Sequence, residues 1–126
     1  MVTYYQEALK YKGTPYRLGG MDRAGIDCSG LVNVVTGQKT RVWHTGAGTP
    51  PPGNWSRINI RASSHDDFIR SLKRGDLLVW KGHAAFFDSG ERIFHARRVG
   101  TVADFTNDLK LYWLKTQGYP VVYRQK

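Results

Sequence analysis

The sequence predicts an α+β fold, and two observations carry that expectation. Its opening third holds two apolar-periodic segments, each capped at its start and closed by glycine. From Leu77 onward the apolar residues gather in short β-branched and aromatic runs separated by tight turns. Helices first and an antiparallel meander afterwards is the α+β order.

The first helix is expected from Thr3, a capping residue with Gln6 three positions on, and Tyr4, Ala8 and Tyr11 share one face. Gly13-Thr14-Pro15 ends it, and Gly19-Gly20 marks a second break. Asp27 is the N-cap of a helix beginning at Cys28, with Leu31, Val32 and Val35 turned inward until Gly37. Residues 37–63 show no period; Gly46, Gly48, Pro50-Pro51-Pro52 and Gly53 lie there between Trp43 and Trp55 or close by, as an irregular loop. Ser64 caps a short helix with Asp66 and Asp67 in its first turn and Lys73-Arg74 ahead of Gly75.

Leu77–Trp80 and His83–Asp88 read as strands, and Ser89-Gly90 turns the chain into Arg92–Ala96. Pairing across that turn matches Asp88 with Glu91 and brings the far ends, His83 and Ala96, together. Parity along the strands groups His83 with Ala85 and Phe87, and His95 with Ile93. Asn107–Leu114 is expected to be helical, Gly118 ends it, and Val121-Val122-Tyr123 closes the sheet.

At 126 residues the chain has room for one domain spanning 1–126, and 40% hydrophobic with 13% aromatic residues excludes a disordered or collagen-like chain. Nineteen Lys+Arg against ten Asp+Glu leave a net charge of +9. That balance implies a polyanionic partner: nucleic acid, an anionic membrane face or an acidic wall polymer. No apolar run is long enough to span a bilayer, and the first residues lack the charged and apolar regions of a secretory signal.

The one cysteine, Cys28, excludes an internal disulfide and a thiolate zinc site. It is either a small buried hydrophobe or a reactive thiol. At a helix start its thiol is expected to have a lowered pKa, with Gly30 leaving it uncrowded. His83 and His95 fall near one end of a hairpin, where one imidazole activates the thiol and the other orients the first. The Cys28 amide is the natural first oxyanion donor.

Gly13-Thr14-Pro15-Tyr16, Gly19-Gly20, Asp27-Cys28-Ser29-Gly30-Leu31-Val32, Arg74-Gly75-Asp76-Leu77-Leu78, His83-Ala84-Ala85-Phe86-Phe87 and Ile93-Phe94-His95-Ala96 stand in one order along the chain. In those blocks the sequence resembles the NlpC/P60 cysteine peptidases, with residues 37–63 unmatched. The resemblance implies a papain-like α+β fold and hydrolysis of peptidoglycan stem peptides at the bond between γ-D-glutamate and the diamino acid. It makes Cys28 the nucleophile, His83 the general base and acid, and His95 the group orienting His83. Tyr16, Asp27 and Ser29 match substrate-binding positions, some of which recognise a free L-Ala amine. Leu18 stands where many relatives carry an aromatic residue, and the stretch between Asp76 and His83 is short, so one cleft wall is expected to be trimmed. Residues 37–63 then form another wall or a cover.

His44 and His65 have no partner at metal-ligand spacing, so neither metal nor other cofactor is expected. His44 reads as a surface imidazole, one that approaches the cleft if the loop folds over it. Arg97-Arg98 either grips stem-peptide carboxylates or is a solvated strand end. Two other readings stay open: a basic nucleic-acid module using Trp43, Trp55 and Trp80 as stacking surfaces, and a thiol amidase or acyltransferase of the same fold. Peptidoglycan stem peptides are the expected partner, with no nucleic acid and a monomeric chain. Action at the cell wall without a visible signal implies delivery by a secretion apparatus or a phage particle, or a signal trimmed from this sequence, and an immunity protein if the chain is an antibacterial effector.

Overall fold

The computed structural model describes residues 3–126. Helix α1 (Tyr4–Leu9) starts at a capping box: Thr3 Oγ1 accepts from the Gln6 amide and the Gln6 side chain accepts from the Thr3 amide. Helix α2 (Cys28–Val35) starts at Asp27, whose carboxylate accepts from the Gly30 amide at 2.6 Å. Between them a small ribbon pairs β1 (Met21–Asp22) with β2 (Gly25–Ile26). Gly30 has a reason other than an uncrowded thiol. A Cβ there would lie 2.0 Å from the Gly20 carbonyl oxygen, and one on Gly20 would lie 2.2 Å from that of Gly25. The paired glycines let this loop pass directly against the helix start.

The main sheet has six antiparallel strands in the order β3-β8-β4-β5-β6-β7. They are β3 (Trp55–Ile58), β4 (Leu77–Trp80), β5 (His83–Ser89), β6 (Arg92–His95), β7 (Asp104–Thr106) and β8 (Val121–Gln125). Strand β3 lies within the stretch that lacks sequence periodicity; its edge position, paired only with β8, demands little of its side chains. Helices α1 and α2 pack with Leu77, Ala84, Phe86 and Phe94 in one apolar cluster. The alternate sheet residues Leu78, Trp80, Ala85, Phe87, Ile93 and Val122 form a second with Phe68 of α3 (His65–Arg70), Leu109 and Leu114. No helix among the described residues is long and apolar enough to cross a membrane.

The hairpin register differs from the sequence expectation by one residue. Phe87 pairs with Ile93 and Ser89 with Arg92, so a β-bulge falls at Asp88. The physical cause is that Asp88 is drawn out of the ladder: its carboxylate accepts the Tyr5 hydroxyl at 2.5 Å and faces Arg74 at 3.3 Å and Arg92 at 3.6 Å. The consequence reaches the site. Unbulged pairing of Asp88 with Glu91 would set Ala84 across from His95 and turn the two imidazoles to opposite faces. The bulge puts His83 and His95 on the same face.

The helix expected at Asn107–Leu114 begins at Leu109 and is a π-helix to Leu114, running into α4 (Lys115–Gln117) and ending at Gly118 with φ of 76°. The Asp108 carbonyl accepts from both Tyr112, at 3.0 Å, and Trp113, at 3.2 Å. Widened turns of this kind are frequent at functional sites, and this one carries Trp113.

Candidate active site

Cys28 stands at the first turn of α2, half-buried and free. The helix packs on β5, and the backbone N–H groups of Ala84, Ser29 and Cys28 favour the charged form of the thiol. The thiol is therefore held against the residue that follows His83. Burial pushes its pKa up; the Ala84 amide works against this, and the Asp27 charge adds to it. The lowered thiol pKa expected from the helix start is thus reversed: desolvation outweighs the donors. Iodoacetamide alkylation against pH should accordingly inflect above the ordinary thiol value of about 8.5. An inflection near neutrality would refute this picture of the resting thiol.

His83 and His95 are buried, and His83 Nε2 lies 2.7 Å from His95 Nδ1. His95 Nε2 lies 2.8 Å from Thr106 Oγ1, which in turn donates to Asp108 Oδ1 at 2.5 Å. These contacts set the direction of the whole chain. A carboxylate only accepts, so the Thr106 proton points at Asp108 and its oxygen accepts from His95 Nε2–H. His95 then offers a bare Nδ1, which accepts from His83 Nε2–H. The remaining lone pair of the pair is on His83 Nδ1. Two histidines arranged this way fit the imidazole half of a Cys-His-His triad.

Trp113 stacks on His83 with ring centroids 4.2 Å apart and planes 10° from parallel, and Trp80 lies 5.2 Å from Trp113. This aromatic cover explains the electrostatics. Burial lowers the His83 pKa to about 3, His95 adds to the shift and Asp108 opposes it. Burial, with Arg97 assisting, lowers that of His95 to about 3 as well. At rest the site therefore holds a neutral thiol and two neutral imidazoles.

A cleft of about 350 Å³ opens beside the thiol, lined by Tyr16, Asp27, Cys28, Ser29, His44 and Gly82 among others. All three expected substrate-contact residues thus share one cavity with Cys28, and Gly82, the residue before His83, lines it too. The Tyr16 hydroxyl has a raised pKa, first from burial and then from the neighbouring Cys28 and Asp27. His44 is exposed, as expected of a surface imidazole, and at the same time lines this cleft. The cause is the loop at 37–54, which forms a wall.

That wall carries a residue the sequence reading passed over. Arg41 Nη2 lies 2.8 Å from Asp27 Oδ1, and Arg41 Nη1 donates to Ser29 Oγ. It is aimed there by Asn33, fully buried on α2: Asn33 Nδ2 donates to the Trp43 carbonyl at 2.7 Å and Asn33 Oδ1 accepts from the Val42 amide at 3.1 Å. Trp43, buried, secures the loop further through Nε1 to the Thr49 carbonyl at 2.9 Å. Thr106 and Asp108 were likewise unflagged, because a lone Thr and Asp beyond a loop carry no pattern of their own. A mid-helix Asn was the only local signal for Asn33.

Comparison with known proteins places this geometry in context. Protein P54 of Enterococcus faecium is 34% identical over 113 residues, covering 81% of this chain and 20% of P54. The probable endopeptidase NlpC of Escherichia coli (strain K12) is 30% identical over 112 residues, 83% of this chain and 66% of that protein. The chain therefore spans less than two thirds of these curated relatives. Among solved structures, the NlpC/p60 domain of the peptidoglycan hydrolase SagA superposes with a TM-score of 0.60 at 28% identity, covering 98% of this chain and 97% of that one. The NlpC/P60 family profile itself matches residues 13–117. With the Asp27-Cys28-Ser29-Gly30 helix start, the histidine pair and the helix-on-sheet architecture all inside that span, the chain belongs to the NlpC/P60 family.

Proposed function

We propose that this protein is a cysteine endopeptidase of peptidoglycan that cuts stem peptides between γ-D-glutamate and the diamino acid. The observation that carries the reading is the directed His83–His95–Thr106 hydrogen-bond chain, which leaves His83 Nδ1 bare one residue from Ala84, whose backbone N–H favours the Cys28 thiolate. In this reading His83 Nδ1 takes the Cys28 proton as Sγ attacks the scissile carbonyl. His95, oriented by Thr106, keeps the imidazole in the required tautomer and stabilises its transient charge. The protonated His83 then gives its proton to the leaving amine, the C–N bond breaks and a thioester remains. Water, deprotonated by His83, releases the carboxylic acid and restores the thiol. The Cys28 amide at the helix start is the first oxyanion donor.

Arg41 bears on specificity. It occupies Asp27 and Ser29, so this end of the cleft offers a guanidinium rather than a bare carboxylate. The negative groups of a stem peptide suit such a floor better than a free amine does.

Wild type and Cys28→Ala are to be incubated with purified peptidoglycan and the released fragments identified by mass spectrometry. Wild type should release fragments with new amino-terminal diamino acids, and Cys28→Ala none. Absence of new stem-peptide ends from wild type would end the endopeptidase reading.

A further inference from the structure

Two tight turns of the same residue pattern meet at the mouth of the Cys28 cleft. Arg17-Leu18-Gly19-Gly20 closes with the Gly20 amide donating to the Arg17 carbonyl at 2.8 Å. Arg98-Val99-Gly100-Thr101 closes with the Thr101 amide donating to the Arg98 carbonyl at 3.2 Å. Gly19 and Gly100, with φ of 82° and 86°, supply the left-handed position that such a turn requires. The backbone fixes the two turns against each other: Pro15 pairs antiparallel with Val102, and the Tyr16 amide donates to the Thr101 carbonyl at 2.9 Å. Continued to the turn tips, that register sets Leu18 opposite Val99. These are the two most exposed large apolar side chains among the described residues, at 80% each. A third, Val42 at 61%, follows Arg41 on the loop wall. One carboxylate ties that wall to the first turn, since Asp27 accepts from the Gly19 amide and from Arg41.

Leu18 also lines the Cys28 cleft, so the apolar tips belong to its rim. Arg17, Arg97 and Arg98 are exposed beside them, and none forms an ion pair among the described residues. An aliphatic side chain at a turn apex stays in water on folding and adds nothing to the core. Protruding apolar tips with unpaired guanidiniums fit a partner that is anionic at its surface and apolar just beneath. The net charge of +9 draws the whole chain towards such a surface. We propose that this rim docks on an anionic phospholipid bilayer, with Leu18 and Val99 entering the acyl boundary and Arg17, Arg97 and Arg98 pairing with headgroup phosphates. Docked in this way, the Cys28 cleft opens at headgroup level. The docking stands apart from the endopeptidase reading, and its test uses no peptidoglycan.

Co-sedimentation with vesicles at about 0.15 M salt tests it, comparing equal parts phosphatidylglycerol and phosphatidylcholine with phosphatidylcholine alone. Wild type should bind the anionic vesicles roughly tenfold or more tighter than the neutral ones. Leu18→Ser/Val99→Ser keeps the net charge and should weaken that binding by roughly tenfold or more, as two aliphatic side chains leave the acyl boundary. Arg17→Gln/Arg98→Gln should weaken it by about tenfold or more as well. Arg61→Gln/Lys73→Gln removes the same charge from exposed positions flanking α3 and should cost less than about threefold. Every substituted side chain is exposed, so the losses are read on folded protein. Unchanged binding in the serine variant would show that the tips stay in water, and equal losses in the two charge variants would show attraction without a face. Either result overturns the proposal, as does wild type that binds neither vesicle or binds both equally. Poly-L-glutamate, a soluble polyanion, is the last comparison. If wild type binds it as tightly as it binds the anionic vesicles and the serine substitutions change neither, the arginines serve an acidic polymer and the bilayer is rejected.

Discussion

Acidification from pH 7.5 to 4.5 is expected to destabilise the folded protein by between about 3 and 5 kcal/mol through His83 and His95. In the unfolded chain each imidazole takes up a proton near pH 6.5, whereas in the folded protein burial holds both to about 3. Between those values the unfolded state binds protons that the folded state refuses. Stability is therefore full above pH 6.5 and falls as the pH drops, by about 1.4 kcal/mol per pH unit for each histidine. The lower figure applies if one imidazole carries the effect and the higher if both do. Urea denaturation at the two pH values, on wild type and His83→Gln/His95→Gln, separates this from general acid sensitivity. The double variant should lose less stability by that amount; equal losses in the two proteins would clear the histidines of responsibility. The acid limb of peptidase activity should then follow unfolding instead of a titration near 6.5.

Arg41→Ala should lower stability by about 3 kcal/mol, the low end of the cost of breaking a buried ion pair. Asp27 is 5% exposed, so removing Arg41 leaves a carboxylate that water barely reaches. Two backbone donors remain, Gly19 at 2.7 Å and Gly30 at 2.6 Å, which keeps the loss from being larger. Ser29 loses its guanidinium partner in the same step. Arg41→Lys should recover part of the stability, because an ammonium restores charge but cannot reproduce the fork that reaches Asp27 and Ser29 together. Chemical denaturation of the three proteins reads this directly. Arg41→Ala with unchanged stability would show that the two backbone amides alone satisfy Asp27. The KM for a stem peptide should rise in Arg41→Ala, as the cleft floor loses its positive charge.

Much of the framework was legible because it depends on short-range chemistry. Thr3 with Gln6, Asp27 before Cys28 and Ser64 before His65 are caps whose donors lie within three residues, and each appears where its pattern predicts. The strands from Leu77 to His95 followed from apolar runs and one turn. The hairpin register did not, because the bulge at Asp88 comes from Tyr5, Arg74 and Arg92, partners no turn rule contains. Strands β3 and β7 lie on sheet edges, where side-chain alternation is weakest.

The site divides along the same line. By itself the sequence determined the family, the α+β order, the thiol at a helix start and the two histidines near one end of a hairpin. Each rests on residue identity at fixed spacing. Only the tertiary structure decided the protonation chemistry and the cleft walls. Desolvation is a property of everything packed around a group, so burial of Cys28 reverses the expectation of a thiol with a lowered pKa, and burial of His83, on which Trp113 stacks, keeps that imidazole neutral. Hydrogen-bond direction needs the far end of the chain, and Asp108 supplies it through Thr106. Arg41 reaches Asp27, fourteen positions earlier and on the far side of α2, because Asn33 and Trp43 secure the loop that carries it. Contacts of that range leave no period to read.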